Sequence, residues 1–188
     1  AEKNLFNKNN WIMNPVLNLQ SLNPNLFSDL RNIVENKVFS NSSICNALKS
    51  VLKDKPKIVQ SMYFEGNSAT WEHQDSYYLD SENVGEMTAA WLALEEIKAD
   101  AGRFFICPES HKIEHGKQNI NNNIADNHDK YIKEIVSIIK SKNMEIKAPY
   151  MDAGDVLLWN SWTIHGSIDS QNTNFSRSSI TLHAIPES

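Results

Sequence analysis

Asp155–Ile168 reads DVLLWNSWTIHGSI, two short apolar runs joined by Asn160 and Ser161. Runs of this length that are rich in β-branched and aromatic residues and are bounded by polar turn residues are typical of strands. The stretch therefore predicts two strands, at 155–159 and 162–168, and places the chain among proteins built mainly from short β-strands.

Strand-like runs also occur before and after this stretch, from Lys57 onward. They cover residues 58–64, 69–75, 103–107, 144–150 and 178–185. Turn-forming residues lie between several of them, at Gly66–Asn67, Asp152–Asp155 and Gln171–Asn174. Many short strands separated by turns predict a mainly β fold, either a sandwich or a barrel.

The N-terminal part has a different pattern. Residues 1–24 are rich in Asn and interrupted by proline, which predicts an irregular arm across the surface. Apolar residues at helical spacing predict an amphipathic helix over 25–39. A second helix is expected to begin at an N-cap formed by Ser42 or Ser43 and to end before Pro56.

Two later segments depart from the strand pattern. Apolar residues at helical spacing predict a helix over 129–142, inserted between strands after a polar loop at 119–123. Met87–Ile97 (MTAAWLALEEI) has the Ala, Leu and Glu content of a helix but lies between strand-like neighbours. Propensity alone leaves this segment open between helix and strand.

Composition excludes several classes of protein. The net charge of −5 is mild, and basic residues are not interleaved with aromatics, so we expect no nucleic-acid partner. No stretch approaches the ~18 apolar residues that span a bilayer, which argues against a membrane protein. The two cysteines form no C-x-x-C pair, which favours a reducing compartment and hence the cytoplasm. The oligomeric state does not follow from the sequence.

The most informative triplet is His73-Gln74-Asp75. In an extended strand the side chains at i and i+2 leave the same face, about 6–7 Å apart at their Cα atoms. The His73 imidazole and the Asp75 carboxylate are therefore able to converge on one metal ion. His165, in another strand-like segment far along the chain, is the candidate for a third ligand.

Two imidazoles and one carboxylate on one face of an octahedral metal leave three positions open, the arrangement of non-haem Fe(II) oxygenases. Those positions admit a chelating 2-oxo acid and then O₂. The second carboxylate of such a co-substrate needs a cation, ideally a planar guanidinium that makes two parallel hydrogen bonds. Arg177, on the strand predicted after His165, is the candidate.

At this point the sequence resembles a known family, the phytanoyl-CoA dioxygenases, which are Fe(II)/2-oxoglutarate oxygenases. The residues that carry the resemblance are Trp71–Asp75 (WEHQD), Trp91–Leu94 (WLAL), Gly102–Lys112 (GRFFICPESHK), Gly154–Asn160 (GDVLLWN), His165–Ser167 (HGS) and Arg177. An ordered series of this kind is far more specific than an isolated H-x-D, which occurs by chance in many proteins.

The resemblance implies a double-stranded β-helix, a cupin-like jelly roll of two facing sheets with flanking α-helices. It decides Met87–Ile97 in favour of a strand. We expect a single domain over residues 1–188, in which an arm and buttressing helices at 1–56 precede a jelly-roll core at 57–188.

The resemblance also implies the site and the reaction. His73, Asp75 and His165 would ligate Fe(II), and a small-molecule substrate would be hydroxylated at an unactivated C–H while 2-oxoglutarate and O₂ give succinate and CO₂. Relatives that halogenate replace the carboxylate ligand with a small residue, so Asp75 favours hydroxylation. The implied co-substrate residues are Arg177 and Ser167 at the distal carboxylate and Gln74, Trp91 and Met62 along the pocket.

Two other interpretations stay open. One is a cupin-like isomerase or epimerase that uses another divalent metal without 2-oxoglutarate, and Arg177 argues against it. The other is a non-catalytic β-sandwich that binds a sugar or protein, with His73 and Asp75 as ordinary polar residues. Trp159 either faces substrate or packs in the core, and His183 has no partner pattern in the sequence.

Overall fold

Antiparallel strands dominate the structure, a computed structural model that describes residues 15–66, 69–113, 124–172 and 174–188. The strands are β1 (Val16–Leu17), β2 (Pro56–Phe64), β3 (Thr70–His73), β4 (Thr88–Ala93), β5 (Phe104–Ile106), β6 (Val156–Asn160), β7 (His165–Ser167) and β8 (Ser179–Pro186). The α-helices are α1 (Ser28–Val34), α2 (Ser42–Leu52) and α3 (Ile124–Ser141).

The strands form two sheets. The larger has five strands in the order β1-β2-β8-β4-β6, and the smaller has three in the order β3-β7-β5. All pairings are antiparallel, and neighbours in a sheet are mostly distant in sequence. The sheets face each other across a cavity lined from both. This is the predicted double-stranded β-helix.

Alternation along β8 divides the larger sheet into two faces. Ile180, Leu182 and Ala184 belong to the apolar cluster beneath the N-terminal helices. Thr181 and His183 point the other way and line the cavity between the sheets. Because successive side chains of a strand leave opposite faces, one strand supplies both the packing surface and part of the cavity.

Helices α1 and α2 cover the outer face of the larger sheet. Val34 and Val38 from the first helical segment and Ile44 and Leu48 from α2 are buried against that face. Asn41 caps α2, because its side chain accepts hydrogen bonds from the two backbone N–H groups that follow Ser42. The two helices therefore buttress the sheet as expected, with the cap one residue earlier than predicted.

Helix α3 packs beside β3. Its buried residues Tyr131, Ile135 and Ile139 recur at four-residue spacing and pack with Cys107 and Ile164. The helix begins five residues before the predicted 129–142, and the loop predicted at 119–123 lies outside the described residues. Within the described ranges each helix is too short or too polar to span a bilayer.

Two expectations about local structure were wrong. Residues 144–150 are not a strand and contribute one bridge, between Lys147 and Ile106. The arm predicted to be irregular adds β1 to the edge of the larger sheet, where Asn18 donates its N–H to the carbonyl of Ser61. These are pairings of one or two residues, too short to leave an alternating pattern in the sequence.

The predicted helix over 25–39 is present from Ser28 to Phe39. Its α-helical part begins at Ser28, and Glu35–Phe39 continue it as a π-helix in which the Ser40 N–H donates to the Glu35 carbonyl. Of the predicted strand at 87–97, only Thr88–Ala93 is extended in the sheet.

Candidate metal and co-substrate site

The side chains of His73, Asp75 and His165 meet at the inner side of the smaller sheet. One potential ligand atom from each lies within 4.8 Å of the other two. His73 ends β3 and is the register partner of His165 on β7, so the sheet itself sets the two imidazoles together, with ring centroids 4.2 Å apart. The predicted convergence of the three groups is therefore present.

Asp75 reaches the cluster by a route that differs from the prediction. Gln74 is extended, with φ −112° and ψ 133°, but Asp75 begins a short 3-10 helix instead of continuing the strand. Its Oδ1 lies 3.3 Å from Nε2 of His165 and 3.6 Å from Nε2 of His73.

Backbone carbonyls fix the tautomer of both imidazoles. Nδ1 of His73 lies 2.8 Å from the carbonyl oxygen of Trp71, and Nδ1 of His165 lies 2.8 Å from that of Thr163. A carbonyl oxygen only accepts hydrogen bonds, so each Nδ1 carries the hydrogen. In the neutral rings Nε2 then presents a lone pair toward Asp75, which is the arrangement of a metal-binding histidine.

Burial sets the charges in this cluster. Burial lowers the pKa of the His165 imidazole, an effect that the Asp75 carboxylate partly opposes, and this favours the neutral ring. Burial also acts to raise the pKa of the Asp75 carboxyl, but the imidazoles of His165 and His183 outweigh it and hold that pKa well below its ordinary value. The carboxylate of Asp75 therefore stays ionised in this buried setting.

A cavity of about 260 Å³ opens beside the cluster. Its walls are largely apolar and aromatic and come from both sheets. The lining residues that sequence analysis had singled out are His73, Asp75, His165, Met62, Trp91, Trp159, Ser167 and Arg177. Thr70, Phe64, Phe104, Thr181 and His183 are among the others. A cavity of this kind, in which polar groups converge between apolar and aromatic walls, is typical of a small-molecule site.

Arg177 supplies the cation of the cavity. Its side chain is buried, Nη1 lies 3.3 Å from the carbonyl oxygen of Gly102, and Nε has no hydrogen-bond partner among the described residues. The guanidinium also lies over the rings of Phe64 and Trp91, at 5.3 and 5.8 Å from their centroids. Burial lowers the pKa of Arg177 to about 10, so the group stays charged at neutral pH.

A buried cation normally has an anionic partner, because removing a charge from water is costly. Across the part of the chain that the structure describes, no carboxylate forms an ion pair with Arg177. The guanidinium is thus arranged to receive an anion that enters the cavity.

The remaining co-substrate candidates divide into two groups. Ser167, Trp91 and Met62 line the cavity, and the Ser167 hydroxyl accepts a hydrogen bond from the Thr70 N–H. Gln74 does not line it. Its side-chain amide is fully buried on the other side of β3, where it donates to the carbonyls of Ile113 and Trp162. The alternation that turns His73 inward turns Gln74 away.

Sequence reasoning missed two residues next to the cluster. Trp159 donates its indole N–H to Oδ2 of Asp75 at 2.8 Å, and His183 places Nε2 3.4 Å from the same oxygen. The sequence leaves Trp159 open between substrate contact and core packing, and it offers no partner pattern for His183. Their places depend on the register of β6 and β8 in the opposite sheet, and no local motif signals it.

The fold and the site agree with the family to which the chain is similar in sequence. The model of the family described as phytanoyl-CoA dioxygenase (PhyH) matches residues 11–179, so the chain belongs to this family. A Caenorhabditis elegans protein named phytanoyl-CoA dioxygenase domain-containing protein 1 homolog is 24% identical over 157 residues, which are 79% of this chain and 53% of that protein. The chain thus spans about half the length of this relative.

Solved structures with the same fold include SnoN and EctD. SnoN, described as the non-heme alpha ketoglutarate dependent epimerase from nogalamycin biosynthesis, matches with a TM-score of 0.65 and 16% identity, over 93% of this chain and 63% of its own. EctD from S. alaskensis, solved with 2-oxoglutarate and 5-hydroxyectoine, matches with a TM-score of 0.63 and 17% identity, over 99% and 61%. These similarities establish the fold.

Proposed function

We propose that this protein is an Fe(II)- and 2-oxoglutarate-dependent dioxygenase that hydroxylates an unactivated C–H bond of a small molecule. The observation that carries the proposal is the joint presence, in one cavity, of a cluster formed by His73, Asp75 and His165 and a buried guanidinium without an anionic partner among the described residues.

The donor set fits the metal. Two neutral imidazoles and one carboxylate are the ligands of non-haem Fe(II) oxygenases, and thiolates, which would favour zinc or iron–sulfur chemistry, do not contribute. His73, Asp75 and His165 would hold the ion. The backbone carbonyls that fix Nδ1 of each imidazole would orient the rings before the metal arrives, as outer partners of metal-binding histidines usually do.

The cavity fits the co-substrate. Arg177 would pair with the distal carboxylate of 2-oxoglutarate through parallel N–H donors. Ser167 and Thr181 lie in the same cavity as further hydrogen-bonding groups. The aromatic rings of Phe64, Trp91 and Phe104 would exclude water from the ion pair and so strengthen it.

The proposed reaction consumes one O₂ and one 2-oxoglutarate for each substrate R–H and yields R–OH, succinate and CO₂. Iron, when bound, supplies the redox chemistry that couples decarboxylation to C–H oxidation. The chain's own residues keep the carboxylate of the co-substrate paired, keep Asp75 ionised and limit the access of water. The structures of SnoN and EctD, named with alpha ketoglutarate or 2-oxoglutarate, support this choice of co-substrate.

The substrate is proposed only as a class, a small metabolite. The described part of the chain carries no dense cluster of basic residues of the kind that would bind a coenzyme A diphosphate. Cavity size and a mild negative charge agree with a small substrate.

The test is anaerobic titration of the metal-free protein with Fe(II), followed by 2-oxoglutarate. We expect one equivalent of iron to bind and a weak visible charge-transfer band to develop when 2-oxoglutarate chelates it. His165→Ala should lose both signals. The matched control is His128→Ala, because His128 contacts Tyr78 and lies outside the three-residue cluster.

Three outcomes separate the alternatives. Bound iron with the charge-transfer band, and release of succinate in air, supports the dioxygenase. Bound metal without any effect of 2-oxoglutarate would favour the isomerase interpretation. A protein that binds no divalent metal at all would favour a non-catalytic binding module.

A further inference from the structure

The two oxygens of the Asp75 carboxylate face different sets of neighbours. Oδ1 faces Nε2 of His165 and His73, at 3.3 and 3.6 Å. Oδ2 receives the Trp159 indole N–H at 2.8 Å, with Nε2 of His183 at 3.4 Å. The side chain is buried.

Trp159 and His183 reach this oxygen from the opposite sheet. Asp75 follows β3 of the smaller sheet, whereas Trp159 lies on β6 and His183 on β8 of the larger sheet. Both residues are buried, with 5% and 2% of their surface exposed. Two side chains of the larger sheet therefore contact the Asp75 carboxylate across the space between the sheets.

His183 has no better partner than Asp75. Neither of its ring nitrogens makes a hydrogen bond of full geometry to any residue that the structure describes, and its imidazole lines the cavity. A buried polar ring without partners costs free energy, so its retention at this point needs a reason. The nearby Oδ2 is such a reason, because a small movement of either side chain completes the bond.

The number of coordination positions on the metal explains why Oδ2 of Asp75 has to be kept away from it. An octahedral ion has six positions, and a facial set of two imidazoles and one carboxylate oxygen leaves three. A co-substrate that chelates through two oxygens and then O₂ fill those three. If Asp75 bound through both oxygens, one position would be lost and the chelate would compete with the carboxylate.

We propose that Trp159 and His183 are positioning residues that hold Oδ2 of Asp75, so that only Oδ1 is presented to the metal and the position needed by 2-oxoglutarate stays open. This rests on the proposed function above and assigns it two further residues. Neither residue contacts the iron or the co-substrate in this role, and both act through Asp75.

The experiment compares metal affinity with co-substrate affinity in four variants. Trp159→Phe removes the N–H donor and keeps an aromatic ring, His183→Leu removes the imidazole, and His183→Gln keeps a donor. His128→Leu is the control, because it removes an imidazole that instead lies 2.7 Å from the Tyr78 hydroxyl, outside the three-residue cluster. Each protein is titrated anaerobically with Fe(II), and then with 2-oxoglutarate at saturating iron by the charge-transfer band.

We expect Trp159→Phe and His183→Leu to bind 2-oxoglutarate about tenfold more weakly at saturating iron, the size of effect common for outer residues of metal sites. Iron affinity should fall less than co-substrate affinity, since a second carboxylate oxygen becomes available to the ion. His183→Gln should recover most of the loss, and His128→Leu should match the wild type.

Two results would overturn the inference. One is wild-type affinity for 2-oxoglutarate in both Trp159→Phe and His183→Leu. The other is a parallel loss of iron binding, co-substrate binding and thermal stability that His183→Gln does not repair, which would mean that the residues only pack. A wild-type protein without the iron-dependent band would remove the proposed function as well, whereas a normal wild type with unaffected variants removes this inference alone.

Discussion

Nε2 of His165 lies 3.3 Å from Oδ1 of Asp75, and neither atom carries a hydrogen when the imidazole is neutral. Nε2 of His73 faces the same oxygen in the same way. Three atoms with lone pairs thus converge in a buried space, where their mutual repulsion is little screened. A cation between them removes that repulsion, so the folded protein should prefer the metal-bound state strongly.

The first prediction is that a divalent metal stabilises the fold. Metal that binds only the folded state at a concentration of 100 times its dissociation constant adds about 2.7 kcal/mol to the free energy of unfolding. Thermal denaturation with Mn(II), or with Fe(II) under anaerobic conditions, should therefore show a raised Tm that a chelator reverses. Asp75→Ala should show no metal-dependent shift, and a shift of wild-type size in that variant would place the metal elsewhere.

The second prediction concerns Arg177. Replacing this buried guanidinium by Met removes a desolvated charge and keeps a long apolar side chain, so the ligand-free protein should become more stable, by about 1 kcal/mol. The same variant should lose 2-oxoglutarate binding. Urea denaturation without ligand and co-substrate titration measure the two effects. A ligand-free variant that is clearly less stable than the wild type would mean that Arg177 is satisfied within the protein.

Residue chemistry and chain order were enough to predict which groups would meet. His73, Asp75 and His165 converge, and the N-terminal helices were predicted correctly, because a helix that buries one face has to repeat its apolar residues at a fixed period. These features depend on local spacing, which a sequence contains directly.

What could not be predicted depends on register between distant segments. Trp159 and His183 reach Asp75 only because β6 and β8 lie in the sheet opposite β3. Gln74 was assigned to the pocket by resemblance, although alternation with His73 turns it to the other side. The strand expected at 144–150 fails for a related reason, because β propensity produces a strand only where a partner edge is available.

The third prediction is that Gly166→Ala disturbs the smaller sheet. A Cβ at this position would lie 2.6 Å from the carbonyl oxygen of Thr70 and 2.7 Å from the ring of Phe105, both closer than side chains tolerate. Relief requires β3 and β7 to separate at the strand pair that carries His73, so we expect a loss of about 1–3 kcal/mol and weaker iron binding.

The comparison for this variant is Gly154→Ala. Gly154 has φ +96° and open space around its Cβ position, so the substitution strains the backbone without a collision. It should lower stability and leave iron affinity unchanged. Urea denaturation and anaerobic iron titration of both proteins check this, and equal iron affinity in Gly166→Ala and the wild type would contradict the argument.

The fourth prediction concerns alkaline pH. Burial raises the pKa of the Cys107 thiol from its ordinary 9.0 to about 11, so the folded state keeps the proton at a pH where the unfolded state has lost it. Ionisation of the unfolded thiol then favours unfolding as the pH rises from about 9 to about 11. The stability that Cys107 contributes is complete below this window and is lost through it.

Cys107→Ala isolates that contribution from the other alkaline groups. The difference in the free energy of unfolding between wild type and variant should shrink as the pH rises through the window, as measured by urea denaturation. In the native protein at pH 8, a thiol reagent should modify the partly exposed Cys45 and spare Cys107. Rapid labelling of both thiols before unfolding would contradict the burial on which this prediction depends.

The fifth prediction links α3 to the metal cluster. The Tyr131 hydroxyl accepts a hydrogen bond from the Gln74 N–H at 2.9 Å, and its ring stacks on Tyr77 with centroids 3.7 Å apart. Tyr131→Phe keeps the stack but leaves a buried N–H unpaired between two proposed ligands, at a cost of about 1–3 kcal/mol. Iron affinity should fall together with stability, because the segment that carries Asp75 loses the hydrogen bond between Gln74 and Tyr131. The control is Tyr150→Phe, since that tyrosine is largely exposed. If Tyr131→Phe bound iron like the wild type despite lower stability, α3 would support the fold without positioning the ligands.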